Sequence, residues 1–443
     1  MHGIAARLTR TTWLLGYAGI IVAPRALVWA VGPDAGSGAL EMSAVSTGLV
    51  AFSLLVVAFV LMARLRSLLS CVGIETILLI HRVVAIAAVV LVAVHIALVL
   101  ASDPRGLSIF DLRHTTWAAR AAVVSTVAIL AVVGLALRRK RRQPRYEAWR
   151  LLHIVMATTV FVTAWLHVWW LGHLADNLLF AAWFVVMGLI VLAVVARRWL
   201  WLPVKARRRS YVVENVTAVS GDAVTLEVRA HEHEGFPFHA GQFAWLKVGS
   251  SCFAFEEHPF TIASTANTPD CKQFTIKALG DFTELLHGLR PGRRVYLDGP
   301  YGRMTTDGLE SSWGFVFIAG GIGVTPMLSM LRTLADRGDR RPHLLLLGAR
   351  TENDLILRSE IEGLRARLSL TVVHTLQQPP PGWLGESGRI DGALLDRWLP
   401  RQGRRKFDYF LCGPPAMVTA VGLDLRDRDV PTQRIHTERF EVV

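Results

Sequence analysis

Two apolar stretches decide the fold of this chain: IETILLIHRVVAIAAVVLVAVHIALVL at residues 74–100 and WRLLHIVMATTVFVTAWLHVWWL at residues 149–171. Each is long enough to cross the roughly 30 Å hydrocarbon core of a bilayer as an α-helix. Because an α-helix turns about 100° and rises about 1.5 Å per residue, residues fourteen positions apart lie on one helix face, about 21 Å from each other. Each stretch carries two histidines at that interval, namely His81 and His95, and His153 and His167.

If the two helices run parallel, the four histidines form two level pairs, His81 with His153 and His95 with His167. Two imidazoles that face each other across a helical bundle are axial ligands for a haem. The alternative is that each histidine is a hydrogen-bonded core residue. Ionisable side chains inside a membrane are costly and usually functional, and here the same interval occurs twice. The pattern therefore predicts two b-type haems with these four histidines as the metal ligands.

The composition is typical of a membrane protein with an attached soluble part. Of the 443 residues, 52% are hydrophobic, which is too apolar for an ordinary soluble protein. The net charge is +13, and arginine clusters lie beside the apolar stretches. Membrane topology explains such clusters, so no nucleic-acid partner is expected. The four cysteines form no C-x-x-C pair, which argues against an iron–sulfur cluster, a zinc site and a disulfide framework.

Hydropathy predicts an integral membrane protein with six membrane helices. The third and fifth carry the histidine pairs. Arginines concentrate at alternate ends of these helices, so the positive-inside rule places the N-terminus and everything after the sixth helix in the cytoplasm of a bacterial-type plasma or inner membrane. The third and fifth helices then run in the same direction, as level pairing requires. The six predicted spans are residues 12–32, 45–63, 74–101, 117–137, 148–171 and 178–199.

The sequence pattern changes after a short basic linker at residues 201–209. Residues 204–308 contain short alternating strands separated by turns, which predicts a small antiparallel β-barrel. Residues 309–443 alternate strands with helices, which predicts a parallel α/β sheet with its ligand at the carboxyl ends of the strands. The expected architecture is therefore a six-helix transmembrane haem bundle at residues 1–203, followed by these two soluble domains.

A glycine-rich turn follows the buried strand at residues 315–319. Such a turn lets backbone N–H groups approach a phosphate at the positive end of the next helix, and proline suits that helix's first turn. Arg350 follows the second strand of the sheet, where an acidic residue would favour NADH and an arginine suits the 2′-phosphate of NADPH. The alternative is a solvated surface arginine, which leaves NADH open as the donor. The turn contains Gly320, Gly321, Gly323, Thr325 and Pro326.

The run His258-Pro259-Phe260-Thr261-Ile262-Ala263-Ser264 completes the set of motifs. With the paired histidines and the glycine-rich turn, it makes the chain similar to the transmembrane NADPH oxidase and ferric reductase superfamily over essentially its whole length. The resemblance implies that the barrel binds FAD, with Thr261 on the isoalloxazine and with Ser264 and Gly280 to Thr283 on the pyrophosphate. The implied flavin contacts are His258, Pro259, Phe260, Thr261, Ile262, Ser264, Lys277, Gly280, Asp281, Phe282 and Thr283.

The same resemblance implies roles around the nucleotide. Gly320 to Pro326 matches the NADPH phosphate loop of the family, and Cys412-Gly413-Pro414 matches its nicotinamide-side motif. Glu438-Arg439-Phe440 resembles the segment whose aromatic ring covers the flavin until nicotinamide displaces it. The implied cofactors are FAD, two b-type haems and NADPH, and the implied catalytic residues are Thr261, Cys412, Glu438 and Phe440.

The implied activity is electron transfer from cytoplasmic NADPH, through FAD and two haems, to an acceptor across the bilayer. Oxygen, which would give superoxide, is the expected acceptor, and a ferric chelate is the alternative. Val99 stands where eukaryotic oxidases carry a further histidine near the oxygen site, which argues weakly against a dedicated site of that type. A haem module serving an extracytoplasmic partner protein and a merely anchored flavin reductase are the other interpretations. The oligomeric state stays open, with a homo-oligomer among the alternatives.

Overall fold

The computed structural model describes residues 2–31, 38–102, 111, 113–142, 146–172, 177–220, 222–249 and 251–439. The chain divides into two compact units, Met1–Leu202 and Pro203–Val443. The first is helical and the second contains two sheets. Phe440, which the resemblance places over the flavin, lies outside the described residues.

Six helices in the described part of the chain are long and apolar enough to cross a membrane, as hydropathy predicts. The sixth, α7, continues through a π-helical turn at Arg197–Trp201 into α8. The remaining helix, α3, is short and was not predicted. The helices are α1 (His2–Val31), α2 (Ala39–Leu61), α3 (Arg66–Val72), α4 (Ile74–Ser102), α5 (Trp117–Arg142), α6 (Tyr146–Trp170), α7 (Leu178–Ala196) and α8 (Leu202–Arg208).

Some helix ends extend beyond the predicted spans, whereas α2 ends at Leu61 rather than at residue 63. Helix α1 begins at His2 rather than at residue 12, and α5 continues to Arg142 rather than to residue 137. Hydropathy marks only the apolar part of a helix. The polar ends continue because backbone hydrogen bonds form within the helix in any surroundings.

Aromatic packing fixes the middle of the bundle. Helix α2 packs against α4, and α5 packs against α6. Phe52 of α2 stacks on Phe161 of α6 with the ring centres 5.5 Å apart, and Phe184 of α7 lies 5.1 Å from Phe52. Phe161 stands between His153 and His167 in the sequence. This contact therefore holds the centre of the helix that carries one histidine of each pair.

The second unit begins with an antiparallel sheet whose strands lie in the order β4-β3-β6-β1-β2-β5. The N–H of Ala263 donates to the carbonyl of Gln273 at 2.7 Å, which joins the segment after β4 to β5 and closes the sheet into the predicted barrel. Helix α9 (Asp281–His287) follows β5. The strands are β1 (Tyr211–Val219), β2 (Ala223–Ala230), β3 (Phe243–Val248), β4 (His258–Thr261), β5 (Cys271–Lys277) and β6 (Arg294–Tyr301).

The second sheet is parallel, with the order β10-β9-β8-β7-β11-β12 and helices on both faces. Strands β7 and β11 are fully buried, as expected for the centre of a doubly covered sheet. The strands are β7 (Phe315–Gly320), β8 (His343–Ala349), β9 (Leu370–Leu376), β10 (Glu386–Ser387), β11 (Asp408–Gly413) and β12 (Ile435–Arg439). The helices are α10 (Val324–Asp336), α11 (Arg358–Leu364), α12 (Gly392–Trp398) and α13 (Pro415–Asp427).

Strand β12 was not predicted, because it is a polar edge strand whose register depends on side-chain bonds. At its start Arg434 donates to buried Asp408 at 2.7 Å, and Nε2 of His436 lies 3.0 Å from the same carboxylate. Burial alone would raise the pKa of Asp408, but the hydrogen bonds from His436 and Ser312 outweigh it and lower the pKa below its ordinary value. The carboxylate therefore stays ionised and anchors the edge strand to β11.

Candidate functional site

Backbone carbonyls of neighbouring helices fix the His95/His167 pair. Nδ1 of His95 lies 2.7 Å from the carbonyl oxygen of Ala44 in α2, and Nδ1 of His167 lies 2.9 Å from that of Ala118 in α5. Because a carbonyl oxygen can only accept, each ring carries its proton on Nδ1 and donates it. Nε2 is then available to a metal, an arrangement typical of metal-bound histidines.

The other two histidines form a matching pair. His153 interacts electrostatically with His81, as His167 does with His95. The Ala58 carbonyl of α2 faces His81, and Trp149 stacks on His153 with ring centres 5.2 Å apart. The Nδ1 atoms of His81 and His153 are buried and have no hydrogen-bond partner within the part of the chain that the structure describes. The four histidines therefore come together as two pairs, and their chemistry fits two bis-imidazole haem sites.

Gly48 of α2 gives His95 the room to reach its carbonyl partner. A Cβ at position 48 would lie 2.9 Å from Nδ1 of His95 and 3.0 Å from its Cε1, closer than real Cβ contacts. Only glycine therefore lets α2 and the imidazole approach this closely. This contact leaves no signal in the amino-acid sequence, because it depends on how α2 packs against α4.

The flavin motif lies along β4 and continues past its end. The hydroxyl of Thr261 is buried and has no hydrogen-bond partner among the described residues. Such a group is costly to bury unpaired, and a bound flavin would supply the missing partner. Phe260 stacks on Phe282 of α9 at 6.3 Å, and the His258 ring lies 4.3 Å from the same side chain. Strand β4 thus meets the segment predicted to hold the pyrophosphate.

Several predicted flavin contacts are already engaged within the protein. The hydroxyl of Thr283 accepts the N–H of Gly280 at 3.0 Å and caps α9. The Ser264 hydroxyl donates to the carbonyl of Cys271 at 3.4 Å. Ile262 is fully buried in the barrel core, and its N–H donates to the carbonyl of Gln242. The side chain of Ile262 therefore supports the motif from the inside of the barrel.

The nucleotide motifs converge where the strand order reverses. Strands β7 and β11 are neighbours, and the chain leaves β7 towards β8 on the opposite side. Ligands of doubly wound sheets bind in the crevice at such a point. A Cβ on Gly323 would lie 2.4 Å from the carbonyl oxygen of Cys412, and Gly321 has a φ of +54°. The glycine turn and the Cys412 motif thus meet at one crevice, beside the first turn of α10.

Cys412 and Glu438 lie side by side in the sheet. Cys412 is fully buried at the end of β11. Its register partners are Ala319 of β7 on one side and Glu438 of β12 on the other. Two of the residues to which the resemblance assigns catalytic roles therefore lie at the same level of the sheet, next to the glycine turn.

Lys277 belongs to the half of the unit that contains the antiparallel sheet, whereas Arg350 belongs to the half that contains the parallel sheet. Arg350 is exposed directly after β8, as predicted. Lys277 of β5 instead pairs with Asp354 at 3.1 Å. Burial alone would raise the pKa of Asp354, but hydrogen bonds from Thr351 and Lys277 lower it below its ordinary value. A nucleotide phosphate near Lys277 would therefore compete with this carboxylate.

Sequence reasoning missed one polar surface that joins the two halves of this unit. Ser329, Arg332 and Thr333 interrupt the apolar pattern of α10 and contact the segment that follows the flavin motif. Their spacing of three and four residues placed them on one helix face and was the available signal.

Three domain families match successive parts of the chain. "Ferric reductase like transmembrane component" matches residues 47–164, "FAD-binding domain" matches residues 209–305, and "Oxidoreductase NAD-binding domain" matches residues 317–422. The matches follow the order of the helical bundle, the antiparallel sheet and the parallel sheet. They support FAD and NAD(P)H as ligands of the second unit.

Similar proteins match the second half of the chain. The reductase component of propane 2-monooxygenase from Rhodococcus jostii (strain RHA1) is 35% identical over 239 residues, covering 52% of this chain and 62% of that protein. The chain thus spans less than two thirds of the length of that relative. Ferredoxin–NADP reductase B from Sorangium cellulosum (strain So ce56) is 34% identical over 216 residues, covering 47% of this chain and 87% of that protein.

A solved structure, the cytochrome P450 reductase GcoB from Amycolatopsis, is 26% identical with a TM-score of 0.47, covering 52% of this chain and 69% of that one. The three domain matches, in this order, give the chain the architecture of the NADPH oxidase and ferric reductase-like proteins: ferric reductase-type membrane helices precede an NAD(P)H oxidoreductase unit of the ferredoxin–NADP reductase family.

Proposed function

We propose that the protein carries electrons from cytoplasmic NADPH, through FAD and two b-type haems, to oxygen on the other side of the membrane, producing superoxide. The observation that carries the proposal is the set of four histidines, two on α4 and two on α6, in a helical bundle that shares its chain with a flavin- and nucleotide-binding unit. A helical anchor alone would have no use for imidazoles held by Nδ1. The three proposed domains are residues 1–203, 204–308 and 309–443.

The histidines of the bundle would hold the haems. His81, His95, His153 and His167 would ligate the two haems through Nε2. When bound, FAD takes up a hydride as two electrons and the haems conduct single electrons.

Thr261 would hydrogen-bond the flavin, and the backbone N–H groups of the glycine turn would hold the pyrophosphate of the nucleotide. Arg350 would contact the 2′-phosphate, and buried Cys412 with Glu438 would line the nicotinamide side of the crevice. The packed sheet around Cys412 excludes water from that side.

The arginine-rich helix ends support the orientation. The positive-inside rule puts the Pro203–Val443 unit in the cytoplasm, where NADPH is available, and the His95/His167 pair towards the far face of the membrane.

A ferric chelate is the second candidate acceptor, and one observation favours it. Arg113 and His114 are exposed just before α5, the helix whose Ala118 carbonyl holds His167. Arg120 donates to the carbonyl of Arg113 at 3.3 Å and lies 4.6 Å from the Trp117 ring. Basic groups at this end of the bundle would attract an anionic chelate, although Asp111 pairs with His114 at 3.0 Å.

The decisive experiment is NADPH oxidation by the purified full chain. Under air, superoxide dismutase should abolish reduction of a superoxide-reporting dye. Under argon, ferric citrate with a ferrous trap should give a rate at least tenfold lower if oxygen is the main acceptor. A faster anaerobic rate with ferric citrate would favour the second candidate. Absence of haem from a folded, FAD-loaded protein would overturn the proposal as a whole.

A further inference from the structure

Helix α10 presents one polar stripe to the barrel. Ser329 and Thr333 are fully buried, although most neighbouring positions of the helix are apolar core residues. A buried hydroxyl in a helix usually serves a specific hydrogen bond. The stripe consists of Ser329, Arg332 and Thr333.

The stripe binds the main chain immediately after the flavin motif. Arg332 Nη1 donates to the carbonyl of Ala263 at 2.7 Å. The Ser329 hydroxyl donates to the carbonyl of Ser264 at 2.9 Å, and the Thr333 hydroxyl accepts the N–H of Ala266 at 2.9 Å. Three main-chain groups between residues 263 and 266 are thus held by one helix.

Arg332 connects more elements than its two neighbours do. Its Nε donates to Glu360 of α11 at 2.5 Å, while its Nη1 reaches Ala263. The N–H of Ala263 donates to β5, the strand that contacts the Gly321–Gly323 turn. The guanidinium of Arg332 therefore joins three elements. They are the segment after Thr261, helix α10, which starts at the glycine turn, and helix α11, which follows the loop that contains Arg350.

We propose that Arg332 is a positioning residue that sets the separation between the flavin motif and the nucleotide helix for hydride transfer. The inference rests on the proposed function. Hydride transfer is steep in distance, since a misplacement of about 1 Å can cost about 100-fold in rate. Nucleotide affinity should change little, because α11 is also anchored by its own buried Ile361 and Leu364.

The test is rapid-mixing reduction of the flavin by NADPH in the purified full-length protein. Arg332→Met keeps the side-chain volume and removes both donors, whereas Arg332→Lys keeps the charge and one donor group. The matched control is Arg367→Met. Arg367 pairs at 2.8 Å with Asp336, the last residue of α10, which is the helix that carries Arg332. All variants are compared at equal FAD content.

For Arg332→Met we expect the limiting rate of flavin reduction to fall at least tenfold, with the Kd for NADPH within twofold of wild type. The charge-transfer band between nicotinamide and flavin should weaken. Arg332→Lys should recover part of the rate, and Arg367→Met should match wild type. A merely structural role predicts loss of FAD or a lower Tm, with a normal rate in the loaded fraction.

A limiting rate within twofold of wild type in FAD-loaded Arg332→Met would overturn the inference. So would equal losses in Arg332→Met and Arg367→Met, or a loss confined to Kd. Failure of the wild-type flavin to accept electrons from NADPH or NADH would instead overturn the proposed function. The two failures are thereby distinguished.

Discussion

Gly48→Ala tests the predicted haem ligands from outside the ligand set. The added Cβ would lie 2.9 Å from Nδ1 of His95, whereas ordinary contacts begin at about 3.4 Å. The imidazole or α2 must therefore shift by about 0.5 Å, more than the roughly 0.2 Å that a metal–ligand distance tolerates. The shift also strains the 2.7 Å bond from His95 to the Ala44 carbonyl, a bond worth about 0.5–1.5 kcal/mol.

We expect Gly48→Ala to lower the haem content of the purified protein from two towards one per chain, as measured by the pyridine haemochromogen spectrum. The matched control is Gly134→Ala in α5, where an added Cβ meets nothing within 4 Å. Both changes raise helix propensity by about 1 kcal/mol, so the control cancels that effect. FAD content and flavin reduction by NADPH should be normal in both variants.

Two outcomes would refute this reasoning. If Gly48→Ala retains two haems with unchanged reduced spectra, His95 is not a ligand in the arrangement derived above. If Gly134→Ala loses haem to the same extent, the effect comes from the helix rather than from the contact with His95.

Three further predictions test separate parts of the chain. His95→Leu should remove one haem and leave flavin reduction by NADPH intact, and full haem content by absorbance would contradict the ligand assignment. Arg350→Ala should raise KM for NADPH at least tenfold, since a charged contact is worth about 1.5–3 kcal/mol; equal changes with NADH in steady-state assays would show that Arg350 does not read the phosphate. Burial lowers the pKa of Lys272 to about 7. Above that pH the unfolded chain therefore binds more protons than the folded one. The free energy of unfolding should consequently rise from pH 7 to 10, by on the order of 4 kcal/mol at most. In Lys272→Met, the Tm measured by FAD fluorescence should rise less with pH than in wild type. An unchanged slope would show that another group is responsible for the pH dependence.

The surroundings of Lys272 show why the predicted rise in the free energy of unfolding between pH 7 and 10 is an upper bound. Its Nζ donates to the carbonyls of Phe236 and Pro269, both at 2.9 Å. It also lies 4.0 Å from the Phe236 ring centre and 4.6 Å from that of Phe238. Carbonyl oxygens and aromatic faces favour the charged ammonium, and they therefore offset part of the cost of burial. In the alternation of β5, Lys272 has the same inward phase as the buried Phe274 and Ile276.

The sequence predicted the parts of the fold that leave a periodic or compositional signal. Apolar length predicted the six spanning helices, and glycine after a buried strand predicted the crevice at Gly323. Strand β12 was missed because its residues are polar and its register depends on Asp408, which is distant in sequence. The contact of Arg332 with Ala263 was missed because its acceptor is a main-chain carbonyl, which carries no residue-specific signal.

The candidate site divides in the same way. The histidine interval predicted that the two histidines of each helix share a face, since helix geometry alone sets it. The partners that orient the rings, the carbonyls of Ala44 and Ala118, depend on which helices pack together and in what register. Lys277 was expected to face a cofactor, but it pairs with Asp354, because loop conformation after β8 decides what stands opposite β5.

The carbonyl acceptors at Ala44 and Ala118 have a consequence for how this protein tolerates mutation. The accepting oxygen belongs to the peptide backbone, so exchange of either alanine for another small residue deletes nothing from the bond. Saturation mutagenesis that scores side-chain loss would therefore register these two positions as ordinary packing sites. A one-residue insertion or deletion in α2 would rotate every later carbonyl by about 100° and remove the acceptor from His95. The orientation of these two imidazoles thus depends on helix phase: another small residue can replace Ala44 or Ala118, but the number of residues that precede each of them in its helix cannot change.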